Sequence, residues 1–115
     1  MAAFQAIRSE PSDPLAAPAM FIVTLTYIRP LEELDVLMDG HMAWLRKHYQ
    51  SGLFLASGRQ VPRKGGVIFA RSGDRAELEA VLARDPFVQN GAASTHVIEF
   101  VPSMTAPATE ILKAL

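Results

Sequence analysis

The chain has 115 residues, half of them hydrophobic, with 11 Lys and Arg against 12 Asp and Glu for a net charge of −1, and no cysteine. That length suits one domain that buries roughly two-thirds of its unfolded surface without disulfide staples. The charge balance leaves no basic field for nucleic acid, the missing thiol excludes cysteine nucleophiles and cysteine metal sites, and no apolar run approaches the roughly 20 residues that span a bilayer.

Residues 1–19 carry Pro11, Pro14 and Pro18 among alanines, serines and acidic residues, with no apolar stretch behind a basic start. They read as a flexible extension, not as a signal peptide. Zero cysteines fit a reducing compartment, so a cytoplasmic location is expected.

Met20 to Ile28 is β-branched and aromatic, with Phe21, Val23, Leu25 and Tyr27 on one face and Ile22, Thr24, Thr26 and Ile28 on the other, which predicts a strand. Pro30 then opens a helix that runs from Leu31 to about Gln50. At about 100° per residue, Leu34, Leu37, Met38, Trp44, Leu45 and His48 all fall within about 60° of His41, so a protonatable ring occupies the centre of an oily stripe. Ser51-Gly52 ends this helix. Leu53 to Gln60 reads as a second strand, Pro62 to Gly66 as a turn, and Val67 to Arg71 as a third strand.

Asp74 is a good N-cap for a second helix, and Glu77 completes a capping box, with Leu78, Val81 and Leu82 as the apolar face. Pro86 stops it, leaving Asp85 at the helix exit. Phe87 to Ala92 is read as a loop, His96 to Val101 as the last strand, and Pro107 to Leu115, within the 103–115 tail, as a short helix. The order βαββαβ is that of a ferredoxin-like sandwich, an α+β fold with a four-stranded antiparallel sheet and two helices on one face. Both sheet faces are oily, so the uncovered one is expected to pack against a second copy of the chain.

His41 breaks the local rule that a helix stripe be hydrocarbon, and such breaks concentrate at working sites. Gly40, in mid-helix, costs roughly 1 kcal/mol against alanine and suggests that something approaches the backbone there. Trp44 offers an aromatic wall one turn on. A carboxylate at the exit of the second helix can reach a ring in the middle of the first, and an Asp hydrogen-bonded to one imidazole nitrogen fixes the tautomer while the other nitrogen takes or gives a proton. The competing readings are a core histidine satisfied by backbone and an Asp-Pro turn starter.

His41 and His48 share a face but sit about 10.5 Å apart along the axis, too far to hold one metal ion. His48 reads as a capping or interface residue near a helix C-terminus, where a cation is favoured. His96 has no evident partner. Ser57 and Arg59, at the end of the second strand, can donate to a ligand and clamp an anion, or simply supply strand polarity. Gly65-Gly66 reads as a turn without phosphate-loop spacing.

These features together resemble the YCII-related domain family over residues 20–102: a first strand, a helix carrying His41, the run Gly52-Leu53-Phe54-Leu55-Ala56-Ser57-Gly58, then Asp85-Pro86-Phe87 with Gly91 four residues on. The resemblance implies a ferredoxin-like fold that dimerises as a dimeric α/β barrel, with His41 and Asp85 as a dyad in a cleft. The family commonly has Gly-Pro after the second strand, where this chain has Gly58-Arg59. The expected function is a cofactor-independent, metal-free enzyme, isomerase-like or lyase/dehalogenase-like, acting on a small, partly apolar substrate held among Trp44, Phe87, Tyr27, Ser57 and Arg59. Its rival is a non-catalytic dimeric module that binds a hydrophobic metabolite or assists a partner enzyme.

Overall fold

The computed structural model describes residues 19–113; of the extension expected at 1–19, residues 1–18 lie outside the described residues, as do the last two residues of the tail, while Ala19 is the first residue of the first strand. The strands are β1 (Ala19–Tyr27), β2 (Phe54–Arg59), β3 (Gly65–Ser72) and β4 (Ala93–Phe100). The helices are α1 (Leu31–Val36), α2 (Met38–Gln50), α3 (Arg75–Leu82) and α4 (Pro86–Gln89), with a 3₁₀ segment at Pro107–Lys113. The sheet order is β2-β3-β1-β4 and every pairing is antiparallel. This is the expected α+β, ferredoxin-like arrangement.

Alternation along β1 sets the layers. Phe21, Val23 and Leu25 point into a core built with Ile68 and Ala70 of β3, Phe54 of β2, Leu34, Trp44 and Leu45 of the first helical region, and Leu78, Leu82 and Phe87 of the second. Each fully buried Leu, Val or Phe contributes about 1.5–3 kcal/mol of hydrophobic stabilisation. Across the register, Ile22 stands between Phe69 and Ile98 on the opposite sheet face. There Phe69, Ile98 and Phe100 stay partly exposed.

Four local expectations are corrected. The single helix over 31–50 divides at Leu37, whose N–H bonds the Leu34 carbonyl at 3.0 Å, a three-residue closure that tightens the turn and interrupts the four-residue ladder. Pro30 is the N-cap, one position earlier than expected. The third strand starts at Gly65, inside the expected turn, because a Cβ there would strike the Leu25 carbonyl: only glycine admits so close a neighbouring strand. The fourth strand starts at Ala93 and not His96, which lies within it opposite Thr24.

The cap of α3 is as expected in one half. Asp74 accepts from the Ala76 and Glu77 N–H groups at 3.0 and 3.3 Å, but the Asp74 N–H bonds Ser72 Oγ at 3.0 Å where a capping box would use Glu77. Helix α2 ends in a Schellman turn at Gly52, with φ of 85° and Leu53 N–H donating to the His48 carbonyl at 3.1 Å.

Candidate functional site

The stretch expected to be a loop after Pro86 is a single helical turn, and that turn builds the site. Proline supplies the fixed φ that suits a first helical position. Asp85 caps it, accepting the Phe87 N–H on Oδ1 at 3.0 Å. Gly91, at φ 68°, closes the far end, with Ala92 N–H donating to the Phe87 carbonyl at 2.8 Å. A Cβ on Gly40 would sit 3.3 Å from Pro86 Cγ, so the bare backbone of α2 is what lets this turn dock.

Docking brings the two candidate groups together across 44 residues. His41 Nδ1 lies 2.8 Å from Asp85 Oδ1. The Phe87 N–H already marks Oδ1 as an acceptor, and a carboxylate offers no proton of its own, so Nδ1 is the protonated ring nitrogen and donates to it. The Asp85 side chain is 0% exposed and that of His41 12%. The second carboxylate oxygen, Oδ2, is buried without a protein hydrogen bond among the described residues. Phe87 stacks on the imidazole, 3.9 Å between centroids and 9° between planes, and Tyr27 meets Phe87 edge-on at 5.8 Å. The ring is therefore held by a carboxylate at its edge and an aromatic plane on its face.

With Nδ1 engaged, Nε2 is the nitrogen left for other partners. His41 lines a cleft of about 430 Å³ together with Tyr27, Phe87, Ser57 and Arg59, which are five of the seven residues expected at the site. Asp85 sits behind the ring. Trp44 is a correction: its indole is buried, donates to the Val81 carbonyl at 3.1 Å, and packs on Phe54 and His48, so it forms the second layer beneath His41 and not a wall of the cleft. The cleft's remaining walls include Met38, Met42 and Leu45 of α2 and Arg63 from the β2–β3 connection.

Met38 and Leu45 belong to the apolar stripe of the helix, and periodicity does not say which part of that stripe faces a cleft. Arg63 had no signal, because turn residues are normally connectors. Its guanidinium bonds Asp35 Oδ1 at 2.8 Å, which raises its proton affinity further, and lies 5.8 Å from the Tyr27 ring centre. Ser57 Oγ is 2.6 Å from the Tyr49 hydroxyl. The Gly58-Arg59 pair remains within β2, opposite Val67 and Gly66.

His48 is not the favoured cation expected of a helix C-terminus. Partial burial, then the charges of Lys47 and Arg84, lower its pKa below the ordinary histidine value. Its ring packs 5.3 Å from that of Phe54. Among the described residues, no three His, Cys, Asp or Glu side chains gather in a metal-binding group, and no helix is long and apolar enough to cross a membrane.

Among solved structures, the chain is similar to SnoaB, a cofactor-independent oxygenase from Streptomyces nogalater, at 16% identity and a TM-score of 0.49, covering 80% of this chain and 99% of that one. A mutant of SnoaB gives 15% identity, a TM-score of 0.46 and the same coverage. No curated protein matches the chain. The YCII-related domain profile matches residues 20–101, nearly all of the described chain, and this protein belongs to the YCII-related domain family.

Proposed function

We propose that this protein is a small-molecule enzyme in which His41 Nε2 is the general acid or base and Asp85 orients and supports the ring. The observation that carries the reading is the 2.8 Å contact between Nδ1 and a fully buried carboxylate beside a cleft. When Nε2 takes a proton, the imidazolium gains a partner whose charge is already in place, so little reorganisation accompanies the transfer. Two reaction types use such a site without a cofactor. Nε2 can remove a proton from one substrate atom and return it at another, which is isomerisation. Alternatively, the electron pair left by deprotonation can expel a leaving group, which is elimination or dehalogenation.

In this reading Tyr27, Phe87, Ser57 and Arg59 hold the substrate, while Trp44 backs the ring from below. The enzyme works as a homodimer through the open sheet face, in the cytoplasm, and neither nucleic acid nor membrane is a partner. A second reading, a non-catalytic dimeric module for a hydrophobic metabolite, is favoured by one observation: Asp85 has a structural task already, as the cap of α4.

The test is a pair of conservative variants. Asp85→Asn retains a cap but removes the charge, and His41→Gln retains a donor for Asp85 but removes the titratable ring. Solvent-deuterium incorporation into a panel of small carbonyl and phenolic compounds should fall by about 10²–10⁴-fold in both, the usual worth of a positioned acid or base. The melting transition should stay cooperative. Turnover that survives both variants would reject the acid/base role and leave the binding module.

A further inference from the structure

The cleft is more selective than its apolar walls suggest. Its fourteen lining residues include Arg59, Arg63 and His41 but no Asp and no Glu. The chain as a whole carries a net charge of −1, so two arginines without an acidic residue in the lining are a local arrangement. Arg63 is engaged by Asp35. Among the described residues Arg59 enters no salt bridge.

Placement puts Arg59 at the cleft. In the register of the sheet it stands opposite Gly66, which itself pairs with Leu25 of the core-facing side of β1, so Arg59 belongs to the same sheet face as the cleft. Gly66 has no side chain to block it. A guanidinium presents a planar fork of donors that matches a carboxylate in two parallel bonds. The remainder of the cleft, with Leu25, Met38, Met42, Leu45, Ile68 and Phe87, suits an apolar body of ring size.

Resting on the acid/base reading, we infer that the substrate is a small organic carboxylate with an apolar, ring-sized body: Arg59 binds the carboxylate, Arg63 adds to the local positive field, and the body lies against the Met and Phe side chains beside His41. Neither arginine touches the proton in transit, so both are binding residues. Arg59 is exposed and enters no salt bridge among the described residues, so it is available to a carboxylate, whereas a neutral ligand of the same shape gains no charge-assisted bond from it.

The experiment uses 2-naphthoate and its neutral analogue 2-naphthamide as probes on the full chain, with affinities from NMR titration and contact mapped on the His41 and Phe87 signals. Naphthoate should bind at least about tenfold tighter than naphthamide, the scale of one charge-assisted hydrogen-bonded contact. Arg59→Gln should abolish that preference, with naphthoate losing far more affinity than naphthamide. Arg59→Lys should restore part of it, since the charge returns without the fork, and Arg63→Gln should reduce it less. Weakening of naphthoate binding by added salt should accompany the preference.

Equal affinity for the two probes, no binding by either, or a preference that persists in Arg59→Gln would each overturn the inference. Its failure is separable from that of the acid/base reading. Asp85→Asn and His41→Gln should still prefer naphthoate while losing turnover; retained turnover in those variants, with the preference intact, would reject the chemistry and keep the carboxylate site.

Discussion

The two faces of the sheet share the same strands and have opposite fates. On one, Val23 of β1 is 0% exposed and flanked by Ile68 and Val97; on the other, its neighbour Ile22 is flanked by Phe69 and Ile98, which are 38% and 47% exposed. Both flanks are apolar, so hydrophobicity alone does not decide which face receives the helices. The decision comes from the connections, since both crossovers fall on one side. The covered face then carries the candidate site, because α2 and α4 meet over it, and the open face is the one proposed to associate. Chemistry and association should therefore respond to different substitutions on the same strands.

The largest effect is expected from the covered face. Phe21→Ala should cost about 3–5 kcal/mol in urea unfolding, the usual penalty for emptying a fully buried aromatic position; a loss under 1 kcal/mol would mean that this face is not the core it is described to be. Next is the open face. Ile98→Lys sets a charge beside Ile22 in the middle of the apolar patch and should convert a dimer into a monomer by analytical ultracentrifugation, while the chain's own stability changes by about 0.5 kcal/mol or less. A wild-type chain already monomeric at micromolar concentration would remove the assembly half of the comparison.

Gly40→Ala sharpens the contrast within the covered side. The methyl group gains up to about 1 kcal/mol of helix propensity but presses on Pro86, 3.3 Å away. Stability should hardly move, whereas turnover should drop as α4 and Asp85 are displaced from His41. Unchanged turnover would show that α4 absorbs the shift. The smallest effect concerns His48, whose folded pKa is depressed below the ordinary 6.5. As pH falls the unfolded chain takes up this proton first, so stability declines from about neutrality and levels off once the folded form is protonated too. His48→Gln should flatten that acid-side slope in thermal melts between about pH 7 and 5.

Much of this was readable from the chain itself. Period-two alternation from Phe21 to Tyr27 announced a two-faced strand, and His41 was conspicuous because a titratable ring stood where hydrocarbon was expected. Gly40 signalled a close approach, which proves to be Pro86. What stayed hidden depended on tertiary placement. Helical periodicity assigns Trp44 to the inward stripe, but it does not distinguish a wall of the cleft from the layer beneath it. Arg63 lies in a connection whose composition speaks only of turns, and Asp35 that holds it is 28 residues away. The helical turn at Pro86–Gln89 is too short for any periodicity, and its cap is legible only once Asp85 is seen to serve the Phe87 amide as well as the imidazole.

That double duty of one oxygen atom makes the pair lopsided under substitution. Exchanging the ring for another hydrogen-bond donor leaves α4 in place, but a replacement at 85 has two neighbours to satisfy, and alanine fails both. Asparagine satisfies the amide and silences the charge. On the proposed acid/base reading, a chain of this shape carrying asparagine at position 85 would keep its architecture and lose its turnover.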